Sequence, residues 1–187
     1  MFFNPRLRFI LIFSLIAAGI VAMLLNLGPT ISILTWGFAI LLLLGYFLFG
    51  HINGALFALK AGKIEQAEKY LAATHKVDWL LASHRAYYFF CQGLIAIYKS
   101  QEKEIEPEKR LALLEKGEQQ LLQAIDLGMR RKAEKAMSYL NLAHIAYYRA
   151  DKAKAEKYAQ LLAEHLTEDL HLKKGYEDLQ LAIAKMP

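Results

Sequence analysis

Apolar residues fill the first third of the chain with almost no polar interruption. From residue 9 to residue 59 there is no Asp, Glu, Lys or Arg, a run of 51 residues. Gly28 and Pro29 divide this run, because the two residues together favour a turn. The pattern predicts two apolar helices, 9–26 and 31–49, of 18 and 19 residues. Each is just long enough to cross a hydrocarbon core of roughly 30 Å, so we expect a transmembrane helical hairpin.

The rest of the chain has a charged helical pattern that begins at Lys60 and carries an internal similarity. The tetrapeptide Ala67-Glu68-Lys69-Tyr70 recurs 88 residues later as Ala155-Glu156-Lys157-Tyr158. The residues before each copy align at the same offset, and each alignment passes through a turn, at Gly62 and at Ala150-Asp151. Similarity at a fixed offset is typical of a repeat architecture.

Small residues extend this phasing to three helix pairs. They recur at the closest approach of two antiparallel helices, where only a small side chain fits: Ala55, Gly93 and Ala143 on the first helices, and Ala67, Gly117 and Ala155 on the second helices. This spacing resembles the tetratricopeptide repeat family, whose unit is a helix–turn–helix of about 34 residues. The second unit departs from that length through a charged insert at 101–106. Pro107 then suits a helix start, and Gly128 a helix end.

The resemblance implies an all-α fold. We expect an N-terminal hairpin at 1–49 and a repeat domain at 50–187. The repeat domain would be a short α-solenoid of three helix pairs, opened by a helix at 50–61 and closed by a capping helix at 170–185. One such pair cannot cover its apolar face, so stacked copies share a core.

Charge and cysteine content narrow the function. The net charge is +5, but from Lys60 onward 21 basic residues oppose 18 acidic ones. That balance argues against nucleic-acid binding, which needs a basic face. The single cysteine, Cys91, cannot form an internal disulfide and lies in an apolar run, where an inert buried thiol is the simpler interpretation.

Motifs for catalysis or cofactor binding are missing from the sequence. The six histidines show no pairing at three or four residues, and no HExxH segment occurs. There is no glycine-rich phosphate loop, because Gly93, Gly117 and Gly128 are explained by repeat positions or a cap. We therefore expect no enzyme activity, no cofactor and no metal site.

A groove for a protein or peptide partner is the remaining candidate site. In the family that the chain resembles, the concave face is formed by set positions on the first helix of each pair. An aromatic groove of this kind could bind an extended peptide or a partner helix. The resemblance places nine residues there: Tyr87, Phe90, Leu94, Met137, Leu140, Asn141, His144, Tyr147 and Tyr148. Some of these side chains could instead be core, since apolar stripes at helical spacing usually are.

Together these patterns predict a membrane-anchored interaction scaffold. Its layout of two spans followed by repeats is broadly similar to that of bacterial inner-membrane tetratricopeptide repeat proteins, which implies the same location. Arg6 and Arg8 precede the first apolar helix, and Lys60 and Lys63 follow the second. The positive-inside rule then places both termini in the cytoplasm. Its partners would be a protein or peptide and the lipid bilayer. The alternative is an accessory subunit of a larger membrane complex, held mainly by its hairpin.

Overall fold

The computed structural model of the chain describes residues 5–26, 28–49, 51–74 and 76–186. Within these residues the chain forms nine α-helices, one 3₁₀ turn (Val77–Trp79) and no strand, which confirms the all-α prediction. The helices are α1 (Pro5–Leu24), α2 (Pro29–Phe49), α3 (Ile52–Lys60), α4 (Ile64–Ala72), α5 (Ala82–Ser100), α6 (Pro107–Asp126), α7 (Lys132–Tyr148), α8 (Lys152–Glu164) and α9 (Leu170–Ala184).

Helices α1 and α2 pack against each other and form an apolar pair. The chain reverses between them through Asn26 and Gly28, both with positive φ, and Pro29 opens α2. The two helices approach closely at Gly19, where a Cβ atom would collide with the Trp36 side chain. Most of the large apolar side chains described on this pair are exposed.

Among the described residues, no helix combines the length and the apolar character needed to cross a membrane. The transmembrane character of the predicted hairpin is therefore without support from the structure. It stays a prediction from the sequence.

The remaining helices form three pairs and a last single helix, in the order that the repeat phasing predicts. Helices α3 and α4, α5 and α6, and α7 and α8 pack as successive pairs, and α9 packs on α7 and α8. The first helix was expected to open at Gly50, which lies outside the described residues; α3 begins at Ile52. The last helix ends at Ala184, one residue before the predicted boundary.

The small residues predicted at the helix crossings are buried. Helices α5 and α6 show this best, since a Cβ on Gly93 would lie 3.1 Å from the Gly117 carbonyl oxygen. A Cβ on Gly117 would lie 2.7 Å from Cγ1 of Ile97. The two backbones can approach this closely only because neither residue carries a side chain. The alanines at the equivalent crossings are buried as well: Ala55, Ala67, Ala143 and Ala155.

Turn residues end the helices where the sequence predicts. Gly62 and Gly128 have φ angles of 70° and 84°, a region that costs most other residues energy. Pro107 is in the first turn of α6, directly after the charged insert. Asp151 caps α8 by accepting a hydrogen bond from the backbone N–H of Lys154 at 3.1 Å.

Two buried clusters hold the pairs together. The first runs from α3 to α7 and includes Phe90, Leu121 and Leu142. The second lies among α7, α8 and α9 and includes Leu162 and Leu179. Helix α7 contributes to both clusters, through Leu142 to the first and Ala143 to the second.

Candidate functional site

A pocket of about 530 Å³ opens between the second and third helix pairs. Its walls come from the end of α5, the start of α6 and the last turns of α7. The residues that line it are Ile97, Ser100, Gln101, Arg110, Leu114, Asn141, His144, Ile145, Tyr147 and Tyr148. Four of the nine residues predicted for a groove, all on α7, therefore meet at one site.

The α7 residues reach the pocket because of their helical spacing. Asn141, His144 and Tyr148 are three and four residues apart, which places them on one face of a helix. The Asn141 side chain donates a hydrogen bond from Nδ2 to the Met137 carbonyl at 2.8 Å, so its orientation is fixed by its own helix. This part of the pocket is preformed.

Two tyrosines form the exposed rim of the pocket. Tyr147 and Tyr148 are 41% and 55% exposed, high values for large aromatic side chains. The ion pair between the Arg149 guanidinium and the Glu118 carboxylate ties the end of α7 to α6 directly beside them. The aromatic rings are thus held at the surface by a fixed helix end, where a partner could pack on them.

The side chain of His144 lines the pocket and is exposed at one edge, and the surrounding residues enclose part of its ring. Burial of part of the ring lowers its pKa below the ordinary value of 6.5. The neutral ring therefore predominates at neutral pH, with one nitrogen as donor and the other as acceptor. In that form His144 can serve a polar group of either kind.

Phe90 and Leu94, which the sequence places in the groove, lie in the core. They are 2% and 4% exposed and belong to the buried cluster that runs from α3 to α7. Neither side chain can contact a partner unless the stack opens. Phe90 and Leu94 therefore fit the core interpretation of the apolar stripe and not the groove interpretation.

The remaining three predicted groove residues lie away from the pocket. Tyr87 is near the start of α5, where its hydroxyl accepts a hydrogen bond from the Arg131 backbone N–H at 3.2 Å. Met137 packs against both buried clusters. Leu140 faces α9, since its Cδ2 lies 3.0 Å from the position of a Cβ on Gly175. The structure does not bring these three together with the α7 residues of the pocket.

An ion pair joins the end of α3 to the start of α7. Lys60, at the end of α3, lies 3.6 Å from the Oε1 atom of Glu134, at the start of α7. Arg131 reaches the same oxygen at 3.5 Å. The Glu134 side chain is buried, whereas Lys60 and Arg131 are 64% and 65% exposed, so these ion pairs lie at the surface of the stack. Of the nine residues predicted for the groove, the four that line the pocket are all near the end of α7.

Six of the pocket residues were not among the nine predicted for the groove. Ile97 is on α5, Ser100 and Gln101 are at its end, Ile145 is on α7, and Arg110 and Leu114 come from α6. Arg110 and Leu114 are on the second helix of a pair, whereas the predicted groove used first helices alone. The charged insert before Pro107 is the signal that could have pointed to them, because it displaces the start of α6.

In the part of the chain that the structure describes, we find neither a metal-ion site nor a reactive cysteine. No group of three or more His, Cys, Asp or Glu side chains is arranged to hold a metal ion there. Cys91 is buried and unbonded, and burial raises the pKa of its thiol, which leaves it unreactive.

Comparison with known proteins identifies no relative of this chain. The chain matches no protein-family model, no curated protein and no solved structure. The resemblance to the tetratricopeptide repeat family stays a prediction from its spacing.

Proposed function

We propose that this protein is a membrane-anchored interaction scaffold whose pocket on α7 binds a segment of a partner protein. The observation that carries the proposal is the preformed pocket with two exposed tyrosines at its rim. Tyrosine is enriched among residues that dominate binding energy at protein interfaces. A volume of about 530 Å³ suits one or two side chains of an extended segment or a short helix.

The test removes the polar and aromatic contacts together. His144→Ala with Tyr147→Ala should abolish crosslinked partner recovery from native membranes, while helix content and melting temperature stay close to wild type. Both side chains are exposed, so their loss leaves the core intact. Gln119→Ala with Gln123→Ala, at exposed positions of α6, is the matched control and should retain the partner. Undiminished recovery with the pocket variant would contradict the proposal.

The anchor is the second part of the proposal, and it rests on the charge-free run and on exposure. The apolar pair exposes large side chains on both helices, among them Phe13, Phe38 and Leu41. Contiguous apolar surface of this kind needs a covering of lipid or protein. We propose that the pair inserts into the bacterial inner membrane with both termini in the cytoplasm.

Extraction and a reporter test the anchor separately. The protein should stay in the membrane pellet after alkaline carbonate treatment, and a reporter fused after Pro187 should be active on the cytoplasmic side. Release of the protein by carbonate would contradict insertion. A fusion active only outside the cytoplasm would contradict the proposed orientation.

The alternative is an accessory subunit that docks mainly through its apolar pair. The same exposed side chains favour it, because a protein partner could cover them as well as lipid. Replacing residues 1–49 with an unrelated two-span hairpin separates the two functions. Partner recovery should survive the exchange if the pocket binds the partner, and should disappear if the apolar pair binds it.

A further inference from the structure

The charged residue that lines the pocket indicates the sign of the charge that its ligand would carry. Arg110 is the only charged residue among those that line it, and none of them carries a carboxylate. The lining also contains apolar side chains, among them Ile97, Leu114 and Ile145. A charge beside such side chains is poorly solvated and gains from a partner of opposite sign.

Arg110 has weak internal partners. Its Nη2 donates to the Glu102 carbonyl at 3.5 Å, which is a long hydrogen bond. Its Nε is buried and has no hydrogen-bond partner among the described residues. No carboxylate of the described chain lies within 4.0 Å of its guanidinium, whereas nearby Arg149 is paired with Glu118. Of these two arginines, the one that lines the pocket has no carboxylate partner within 4.0 Å among the described residues.

We propose that the pocket binds an acidic side chain, Asp or Glu, within the partner segment, with Arg110 as its counter-charge. This inference rests on the proposed function and names the chemistry of its partner. A carboxylate and a guanidinium form paired, charge-assisted hydrogen bonds of defined geometry. A neighbouring apolar side chain of the segment would pack on Tyr147 and Tyr148. The pocket thus selects an acidic residue next to a hydrophobic one.

The position of Arg110 favours an internal side chain over a chain terminus. Capture of a terminal carboxylate commonly uses a nest of several backbone N–H donors. Here the charged donor is a single side chain on α6, and the pocket opens between helices at an exposed rim. A segment can therefore cross the rim and direct one side chain inward.

Selection from a random peptide library against the full-length protein in lipid nanodiscs tests the inference. The library is displayed in two formats, one with internal segments and one with free C-termini. We expect Asp or Glu to be enriched beside an aromatic or aliphatic residue in the internal format, and the enrichment to disappear with Arg110→Gln. Lys109→Gln, at an exposed neighbouring position, is the matched control and should keep the enrichment.

Affinity measurements on a selected, amidated peptide give the decisive comparison. Arg110→Gln and the peptide's Glu→Gln should each weaken binding about 10- to 100-fold, the usual range for a hydrogen bond to a charged group. The two changes together should cost little more than either alone, because they remove the same contact. Arg110→Lys keeps the charge without the paired geometry and should give an intermediate loss.

Each other outcome overturns the inference in a recognisable way. Peptides that need Tyr147 but carry no acidic residue would leave the proposed function standing and refute the role of Arg110. Enrichment of acids only at free C-termini would show that the pocket binds a chain terminus. Recovery of no pocket-dependent peptide would contradict both proposals. Melting curves of each arginine variant show whether a loss of binding reflects unfolding.

Discussion

Residues of the same aromatic class have opposite roles on neighbouring helices, because what covers them differs. Phe90 on α5 is buried in the cluster that runs from α3 to α7, whereas Tyr148 at the end of α7 is 55% exposed. Burying a large apolar side chain stabilises a fold by about 1.5–3 kcal/mol. An exposed one gains that energy only when a partner covers it. The rim tyrosines therefore offer apolar area that a partner could cover.

The protonation of His144 follows from its place in the pocket. We predict that an NMR titration of its ring gives a midpoint below 6.5, because burial lowers its pKa. The unfolded chain then binds the proton more readily than the folded one. The free energy of unfolding should fall as the pH drops below 6.5 toward the folded pKa.

The control for this prediction is His144→Gln, which should reduce the loss of stability on acidification. His84 contributes in the same direction, since burial and then the charge of Arg130 lower its pKa. Its contribution should persist in the His144 variant. A ring of His144 that titrates above 6.5 would contradict the account of its surroundings.

At the scale of residues, the sequence predicted four α7 residues that line the pocket, but it also placed Met137 and Leu140 there and did not predict the burial of Phe90 on α5. The spacing of Asn141, His144 and Tyr148 alone determines that they share a helix face. The burial of Phe90 depends on the packing of α3 to α7 around one buried cluster, which no local pattern encodes. Arg110 was not predicted for the groove because the insert at 101–106 displaces the start of α6, the helix that carries it.

Among the helices, the crossing of α5 and α6 shows how small residues determine the packing. The two glycines, Gly93 and Gly117, lie where the helix backbones are in contact. Glycine normally weakens a helix by about 1 kcal/mol relative to alanine. Here the close approach of the two backbones offsets that cost, because it lets both helices pack along their length.

Gly117→Ala should destabilise the protein in spite of the better helix propensity of alanine. The new Cβ would lie 2.7 Å from Cγ1 of Ile97, a buried and branched side chain that cannot move aside easily. Overpacking of this kind costs about 1–3 kcal/mol, which offsets or exceeds the propensity gain. Denaturant unfolding followed by circular dichroism measures the difference.

The control is Gln119→Ala, at an exposed position two residues along the same helix. It should change the free energy of unfolding by less than about 0.5 kcal/mol. A Gly117 variant more stable than wild type would show that the helices have room to separate. The crossing geometry would then be wrong.

For the whole molecule, the order of helices was predictable and the surroundings of the apolar pair were not. Turn residues such as Gly62, Pro107 and Gly128 divide the chain at positions that the structure confirms. The run of 51 uncharged residues identifies the pair as apolar, but apolar surface can be covered by lipid or by protein. That choice depends on molecules outside the chain, so neither its spacing nor its own packing decides it.

The central claim is that this protein binds its partner through the α7 pocket, and site-specific photocrosslinking in native membranes tests it most directly. A benzoylphenylalanine replaces Tyr147 at the rim, Gln119 on α6 or Phe38 on α2, all exposed positions. We predict a discrete adduct from position 147 that is lost with Arg110→Gln, and none from position 119. An adduct from position 38 alone would contradict the claim, because the partner would then be held by the apolar pair.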